Sequence, residues 1–162
     1  MGDLIIRQAN LRDATSIFEI VGENSDMLIS RSMGDIVGNI DRFVVAEKDG
    51  VVCACSSFVI HPEIGSPLDA TVEIQSLAVR DGLRKTGIGR RIIETLLERL
   101  EKYNLRDALV LTFAPGFFSK LGFVEIPKTK VMHKLYTGCI NCTKHANPFT
   151  CPEIAMIRPF SR

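Results

Sequence analysis

The segment from Thr71 to Lys102 constrains the fold of this chain more than any other part of the sequence. Thr71–Val79, TVEIQSLAV, is rich in β-branched and apolar residues and predicts a strand. From Gly87 to about Lys102 the apolar residues recur at helical spacing, which predicts an amphipathic helix. The apolar stripe consists of Ile88, Ile92, Ile93, Leu96, Leu97 and Leu100. A strand joined to such a helix must bury this stripe against a sheet.

The remaining patterns predict a mixed α/β protein. Further strands are expected at Leu4–Gln8, Phe43–Glu47, Val51–Ile60, Ala108–Phe113, Phe123–Ile126 and Glu153–Phe160, and further helices after Asn10, from Ser32 to about Asn39 and at Pro115–Leu121. The order is β-α-α-β-β-β-α-β-α-β-β, in which helices and strands alternate only in the second half. We therefore expect the α/β class, or more exactly an α+β arrangement, with a central mixed sheet flanked by helices in one domain over residues 1–162.

Local signals support several of these boundaries. Asn10 followed by Asp13 forms a capping-box pattern at a helix start. The helix that follows is expected to bury Ala14, Ile17, Phe18 and Val21, which share one face. Asp49 and Gly50 stand between two strand-like runs and predict a hairpin turn.

Charge and composition exclude several classes of function. The formal net charge is +1, so no overall positive field favours nucleic acid or an anionic membrane. No apolar run approaches the ~20 residues of a membrane span. The five cysteines come without a secretion signal, so we expect reduced thiols and a cytoplasmic location.

The junction VRDGLRKTGIGRRI, Val79–Ile92, concentrates five basic side chains and three glycines. A P-loop would require Lys-Ser/Thr where Ile88-Gly89 stands, and a Rossmann fingerprint would require a third glycine where Ile92 stands. What remains is a glycine-rich loop at a helix N-terminus, whose amides and positive charge suit a pyrophosphate. By itself this pattern leaves open a simple glycine turn with incidental basic residues.

The stretch EIQSLAVRDGLRKTGIGRRIIETLLERL resembles the acetyl-coenzyme A motif of the GCN5-related N-acetyltransferases (GNATs), and Leu111–Phe123 resembles the strand-helix-strand that follows it in that superfamily. The resemblance implies a bulged strand at Val72–Val79, with the pantetheine arm paired beside it. It also implies that the Leu77 N–H stabilises the oxyanion. The cofactor-binding residues implied are Leu77, Ala78, Val79, Arg84, Lys85, Thr86, Gly87, Ile88, Gly89, Arg90 and Phe117.

Acetyl transfer needs a base for the amine proton. Glu73 lies four residues before Leu77 and shares its face if the strand is regularly pleated, which makes Glu73 our candidate base. The alternative is a solvent-facing strand glutamate. Many family members have a tyrosine acid in the short helix where this chain has Phe117 and Phe118, so the proton donor to the thiolate stays open, and these phenylalanines are expected to line the pantetheine channel.

Five segments carry a closer resemblance: ISRS (Ile29–Ser32), DRFVVAEKDG (Asp41–Gly50), EIQSLAV, LTFAPGFFSKLGF and the cysteine-containing tail ending EIAM (Glu153–Met156). Together they resemble the short, stand-alone bacterial N-acetylglutamate synthases of arginine biosynthesis. That resemblance places Arg31 and Ser32 at the substrate, where a guanidinium can hold a carboxylate. The alternative is a surface arginine beside an ordinary Ser N-cap. Lys134 and Lys144 are weaker candidates for a second carboxylate. The chain has no tryptophan before the tail cysteines and carries the extra residues Lys144–Thr150, so glutamate is less secure than acetyl transfer.

The tail loop 136–152 contains a candidate metal site formed by Cys139, Cys142, His145 and Cys151. These ligands could hold a structural zinc ion, although the spacing is not that of a standard finger and reduced, packed cysteines are preferred to zinc or a redox pair. Cys53 and Cys55 are expected to be small core or half-buried strand residues.

The resemblance therefore implies an acetyl-coenzyme A-dependent N-acetyltransferase that acts on a small-molecule amine, and we expect glutamate or a related amino acid as the acceptor. The alternatives are transfer to another small amine or a protein N-terminus, and a non-catalytic acyl-coenzyme A sensor. A zinc-dependent interaction module is weaker still. Family resemblance suggests a homodimer.

Overall fold

The computed structural model describes residues 2–63, 65–131 and 152–161. Its strands are β1 (Leu4–Gln8), β2 (Phe43–Lys48), β3 (Val51–His61), β4 (Thr71–Val79), β5 (Asp107–Thr112), β6 (Val124–Glu125) and β7 (Ile154–Pro159). Its helices are α1 (Ala14–Glu23), α2 (Met33–Gly38), α3 (Ile88–Glu101) and α4 (Pro115–Ser119). The order of helices and strands confirms the sequence prediction, and most boundaries shift by one or two residues.

The strands form one mixed sheet. Their order is β1-β2-β3-β4-β5-β7-β6. Strand β2 is antiparallel to both β1 and β3, and β7 is antiparallel to both β5 and β6. Strands β4 and β5 are parallel, with Thr71 opposite Asp107. The expected mixed sheet flanked by helices is therefore confirmed.

The chain divides into two compact units. The first comprises Met1–Val59 and Ile74–Lys102, and the second comprises Ile60–Glu73 and Tyr103–Arg162. Strands β3 and β4 each contribute residues to both units. That residues 1–162 form one domain stays a prediction.

The β2–β3 hairpin of the first unit has the turn that its sequence predicts. Asp49 and Gly50 have φ angles of 52° and 79°. A two-residue hairpin turn of type I′ requires left-handed backbone at both central positions, which Asp-Gly tolerates. Lys48 and Val51 are paired directly across the turn, and the register of the two strands then shifts by one residue between Ala46 and Glu47.

Helix α1 confirms the predicted start and corrects the predicted face. The backbone N–H of Asn10 donates to Asp13 Oδ2 at 2.8 Å, which completes the capping box. Phe18 is 46% exposed, whereas Ile20 is fully buried. The buried face is centred on Ile17 and extends toward Ile20. Phe18 is rotated about 100° around the helix axis from Ile17, in the direction away from Ile20. The inclusion of Phe18 in the core was wrong.

Helix α3 has the packing that its period predicts. All six residues of the apolar stripe are at most 5% exposed. At about 25 cal/mol per Å² of apolar surface, complete burial of one such side chain contributes about 1.5–3 kcal/mol. This stripe holds the helix in place, so its N-terminus is a rigid feature of the first unit.

The second unit has an aromatic core beside α4. Phe118 contacts Phe123 with its ring edge-on, at 5.3 Å between centroids. Gly122 has a φ of 89°, and a Cβ atom there would lie 3.2 Å from Arg158 Nε. The chain can therefore turn sharply after α4 and enter β6 beside β7 only with glycine at this position.

The Arg7–Asp13 pair predicts how acid affects stability. Both guanidinium Nη atoms of Arg7 donate to Asp13, at 2.8 and 2.9 Å, and these bonds hold the pKa of this buried carboxyl below its ordinary value of 3.8. The stabilisation is therefore present above pH 3.8 and is lost as the pH falls through the lower folded pKa. We expect Asp13→Asn to lower the free energy of unfolding at pH 7 by about 1.5–3 kcal/mol.

Urea denaturation of both proteins from pH 7 to pH 3 measures this effect. The difference between wild type and Asp13→Asn should shrink in acid, because below pH 3.8 the Asp13 carboxyl is protonated first in the unfolded chain and then in the folded protein. Asp41→Asn, at an exposed position, is the matched control and should change stability little at any pH. A constant difference across the whole pH range would contradict the assignment to the ion pair.

Candidate functional site

The loop between β4 and α3 turns through three left-handed residues. Gly82, Lys85 and Gly87 have φ angles of 85°, 62° and 88°. Helix α3 starts directly after Gly87, and no side chain caps it. Its first backbone bond runs from the Arg91 N–H to the Gly87 carbonyl at 3.2 Å.

The helix geometry therefore leaves a group of N–H donors at this point. The amides of Ile88, Gly89 and Arg90 precede the first i to i−4 bond, so they have no acceptor within the helix. They carry the partial positive charge of a 14-residue helix. This arrangement suits an anion, and a phosphate in particular.

Arg80 is the first of the five basic residues between Val79 and Ile92, and its guanidinium is already bonded to other groups of the protein. Its Nη1 lies 2.7 Å from Glu23 Oε1, and its Nη2 lies 3.1 Å from Glu19 Oε2, both on α1. Its Nε donates to the Val52 carbonyl at 3.2 Å. Arg80 thus fastens the start of the loop to the rest of the first unit.

Arg84 and Arg90 are also paired. Arg84 Nη2 donates to Asn24 Oδ1 at 2.7 Å and lies 3.0 Å from Asp81 Oδ1. Arg90 Nε lies 2.8 Å from Glu94 Oε1. Within the described part of the chain, Lys85 and Arg91 are exposed and form no ion pair. They are therefore the two cations between Val79 and Ile92 that are most available to an external anion. The sequence alone did not distinguish them from the paired arginines.

Strand β4 is irregular at Ser76. This residue has a φ of 53°, which is left-handed backbone within a strand and rare for a residue other than glycine. The Ser56 hydroxyl donates to the Gln75 carbonyl at 3.0 Å, and Cys55 Sγ lies 3.5 Å from the Ser76 carbonyl. Side chains of β3 therefore bind two successive carbonyls of β4. The regular pleat on which the shared face of Glu73 and Leu77 depends is not present.

The residues after Ser76 differ in their surroundings. Ala78 is buried in the core of the first unit, whereas Leu77 and Val79 are half-buried. The predicted roles of Leu77 and Val79 are backbone roles, and neither residue is fully buried. A role for Ala78 can involve only its main chain, because its methyl group packs in the core.

Glu73 lies in the second unit and is buried. It is 2% exposed, so the alternative of a solvent-facing glutamate was wrong. Its Oε1 lies 3.8 Å from His61 Nε2, and His61 is also buried. The parallel register joins Thr71–Glu73 to residues 107–109 of β5, so Glu73 is the last residue of β4 in this register.

His61 lies just beyond the strand Val51–Ile60 that the sequence predicts, and it was not among the predicted site residues. Strand β3 extends one residue beyond the predicted end and buries this imidazole. The available signal was its position directly after the apolar run of β3. Proline follows at position 62 and ends the strand there.

Arg31 is held beside the irregular point of β4. Its Nη1 donates to Ser57 Oγ at 2.8 Å and to Ser76 Oγ at 3.2 Å, and its Nε donates to Asp35 Oδ2 at 2.6 Å. The guanidinium carbon lies 4.9 Å from the centre of the Phe43 ring. These contacts leave the Nη2 group without a protein acceptor among the described residues.

Ser32 caps helix α2. Its hydroxyl accepts a hydrogen bond from the Asp35 N–H at 3.1 Å, as the N-cap alternative predicted. A contact of Ser32 with substrate stays a prediction. Arg31 differs from the surface arginine of that alternative, because only 14% of its side chain is exposed.

The two phenylalanines of α4 differ. Phe118 is 6% exposed and is packed into the core of the second unit, so it does not line a channel for a ligand. Phe117 meets it edge-on at 5.0 Å and is half-buried. Only Phe117 retains a surface that a ligand can contact.

The cysteines divide into two groups. Cys53 and Cys55 are buried as expected, and burial raises the pKa of both thiols, that of Cys55 to about 12. Cys139, Cys142, His145 and Cys151, and also Lys134 and Lys144, lie outside the described residues. In the ranges that are described, no group of metal-binding side chains occurs.

No helix among the described residues is long and apolar enough to cross a membrane.

Comparison with known proteins decides the family. The acetyltransferase (GNAT) domain profile matches residues 39–125, which include β4, the glycine-rich loop and α3. An uncharacterised N-acetyltransferase from Chlorobaculum tepidum is 33% identical over 160 residues, 96% of each chain. The chain belongs to the GNAT acetyltransferase family. The expectation of a GNAT N-acetyltransferase is thereby confirmed.

Two further matches are larger proteins. An amino-acid acetyltransferase from Buchnera aphidicola is 27% identical over 142 residues, 83% of this chain and 31% of the relative. The N-acetylglutamate synthase of Neisseria gonorrhoeae, solved with coenzyme A and N-acetyl-glutamate, has the same fold with a TM-score of 0.78 and 20% identity, over 100% of this chain and 36% of that one. This chain thus spans about a third of their length.

Arg80 is ion-paired and Arg91 is not, so we expect their substitution to change the free energy of unfolding by different amounts. We expect Arg80→Met to lower the free energy of unfolding by about 1–2 kcal/mol, because it removes two half-exposed ion pairs and one backbone hydrogen bond. Arg91→Met, the matched control on the exposed face of α3, should change it by less than about 0.5 kcal/mol. Urea denaturation of both variants measures the difference. Equal stability of the two variants would show that Arg80 does not fasten the loop.

Proposed function

We propose that this GNAT enzyme transfers the acetyl group of acetyl-coenzyme A to the α-amine of glutamate or a closely related amino acid. The observation that carries the choice of acceptor is the position of Arg31. Its half-buried guanidinium donates to Ser76 on β4, and Ser76 directly precedes Leu77 in the chain. An amine acceptor with a carboxylate can use this cation. An acceptor without one, such as a polyamine, cannot.

The coenzyme diphosphate binds at the N-terminus of α3. The amides of Ile88, Gly89 and Arg90 donate to its oxygens, and Lys85 and Arg91 supply charge from solvent. Arg84 takes part through its main chain, since its side chain is bonded to Asn24. The family match over this segment and the coenzyme A bound to the Neisseria structure support the assignment.

The acyl group then reaches β4 beyond Glu73, where the register with β5 has ended. The pantetheine arm pairs with the main chain around Leu77 and Val79, and the half-buried Phe117 contacts it. The Leu77 N–H donates to the thioester carbonyl and stabilises the oxyanion that forms during attack. One such donor contributes on the order of 3 kcal/mol to the transition state.

Glu73 acts as the base. The amine must lose a proton as its nitrogen attacks the carbonyl carbon, and the buried carboxylate accepts it directly or through water. The C–N bond forms, the C–S bond breaks, and coenzyme A leaves as a thiolate that takes up one proton. The products are the N-acetyl amino acid and coenzyme A thiol. The neutral amine loses one proton and the sulfur gains one, so the step is balanced.

Arg31 binds the acceptor carboxylate through Nη2. Its other donors are bonded to Asp35, Ser57 and Ser76, which hold the guanidinium plane in one orientation. A planar, pre-oriented guanidinium binds a carboxylate with little loss of side-chain freedom. The match to amino-acid acetyltransferases supports an acceptor of this class.

A panel of acceptors tests the proposal. The release of coenzyme A thiol is measured with acidic amino acids, neutral amino acids, polyamines and a peptide with a free N-terminus. We expect the highest kcat/KM with glutamate or a near relative. Activity on polyamines or the peptide alone would overturn the amino-acid assignment. A wild type that binds acetyl-coenzyme A but transfers to none of these acceptors would favour an acyl-coenzyme A sensor, which the absence of the usual tyrosine from α4 makes worth testing.

Glu73→Gln tests the base. The amide keeps the shape but cannot accept the proton, so we expect kcat to fall about 10²- to 10⁴-fold while the affinity for coenzyme A changes little. Calorimetric titration with coenzyme A, beside the rate with the best acceptor, separates these effects. Glu47→Gln, a carboxylate on β2 outside the proposed site, serves as the control for substitution of a carboxylate. A Glu73→Gln variant with the wild-type rate would exclude Glu73 as the base.

A further inference from the structure

We propose that Ser76 is a positioning residue, whose hydroxyl bond to Arg31 holds the left-handed turn of β4 that aims the Leu77 N–H at the thioester. This inference rests on the proposed function and adds a residue that the sequence did not indicate. It concerns the first unit alone, because Arg31, Ser57, Ser76 and Leu77 all belong to it.

The conformation of Ser76 is the first observation. A left-handed backbone at a non-glycine residue is unfavourable, and such residues persist only where their surroundings hold them. Among the described non-glycine residues, Asp49, Lys85 and Asn104 share this conformation, and all three are exposed and lie in turns. Ser76 alone among these four lies inside a strand and is half-buried.

The contacts of Ser76 are the second observation. Its hydroxyl accepts from Arg31 Nη1 at 3.2 Å, and its carbonyl is 3.5 Å from Cys55 Sγ. The residue is thus held from its side chain and from its main chain. Arg31 is itself fixed by Asp35 and Ser57, so it provides a rigid donor.

The position of Ser76 in the chain connects these contacts to catalysis. The peptide plane between Ser76 and Leu77 carries both the Ser76 carbonyl and the Leu77 N–H. Any rotation about ψ of Ser76 turns both groups together. The bonds that fix the conformation of Ser76 therefore fix the direction of the oxyanion donor, and a misdirected donor loses its effect on the transition state.

Arg31 also connects the two substrates. Its Nη2 faces the acceptor carboxylate in the proposed function, and its Nη1 holds Ser76. The same fixed guanidinium therefore contacts the acceptor and holds the turn beside Leu77, so one group positions both the acceptor and the oxyanion donor.

Two substitutions separate the hydroxyl from the backbone strain. Ser76→Gly removes the hydroxyl and tolerates the left-handed φ, whereas Ser76→Ala removes the hydroxyl and keeps the strain. We expect both variants to lower kcat on the order of tenfold or more, since small misplacement of a catalytic group has large effects on rate. The KM for acetyl-coenzyme A should change less than twofold to threefold, because the diphosphate site on α3 is untouched.

Asp49 provides the matched control. It has nearly the same φ as Ser76, 52° against 53°, but lies in the exposed β2–β3 turn. Asp49→Gly and Asp49→Ala measure the effect of backbone strain on stability without any contact to Arg31, and both should retain the wild-type rate. A drop in kcat for Ser76→Gly at wild-type stability would then be due to the lost hydroxyl.

A double-mutant cycle with Arg31→Lys tests the route through Arg31. If Ser76 acts through the guanidinium, the loss in kcat of Ser76→Gly combined with Arg31→Lys should be smaller than the product of the separate losses. Multiplicative losses would show that Ser76 acts independently of Arg31 and would overturn the inference. Ser57→Ala, which removes the other acceptor of Nη1, should raise the KM for the amino acid more than it lowers kcat.

The outcomes distinguish this inference from the proposed function. A Ser76→Gly variant with wild-type kcat on an active enzyme overturns only the positioning role. A wild type that acetylates no carboxylate-bearing amine overturns the proposed acceptor. In that case the rate of Ser76→Gly on whichever amine is active still tests Ser76, since the Leu77 N–H would serve any acceptor.

Discussion

The structure of the first unit depends on the burial of one helix face. The apolar stripe of α3 is removed from water, which fixes the helix after β4 and places its uncapped N-terminus at the end of the glycine-rich loop. The free amides there follow from helix geometry and need no particular side chain. The proposed anion site is therefore produced by the same hydrophobic contacts that stabilise the fold.

The arginines of the loop show how tertiary contacts divide similar side chains between different tasks. Arg80 and Arg84 carry the same charge as Arg91, yet Arg80 is bonded to acids of α1 and Arg84 to Asn24 near its end. These bonds stabilise the loop in the conformation that gathers its amides. The charge left for a ligand is smaller than the sequence suggests, and backbone donors carry more of the proposed binding.

The irregular strand β4 joins the acyl and acceptor parts of the proposed mechanism. Its left-handed residue, Ser76, accepts a hydrogen bond through its own hydroxyl from Arg31, the arginine proposed to recognise the acceptor. In the proposed mechanism, side-chain contacts from outside the strand therefore position the oxyanion donor. The homodimer, the cytoplasmic location and the preference for reduced, packed cysteines over a zinc site at Cys139, Cys142, His145 and Cys151 stay predictions.

The order of helices and strands, the hairpin turn, the capping box and the stripe of α3 were determined by the sequence itself, because each depends on residues close together in the chain. The family was also recognisable there, because Arg84–Gly89 follows a strand and precedes a helix. Only the tertiary structure decided that Phe18 is exposed, that Glu73 is buried beside His61, and that Arg31 meets Ser76. These facts depend on contacts between residues as much as 45 positions apart, which local spacing cannot specify.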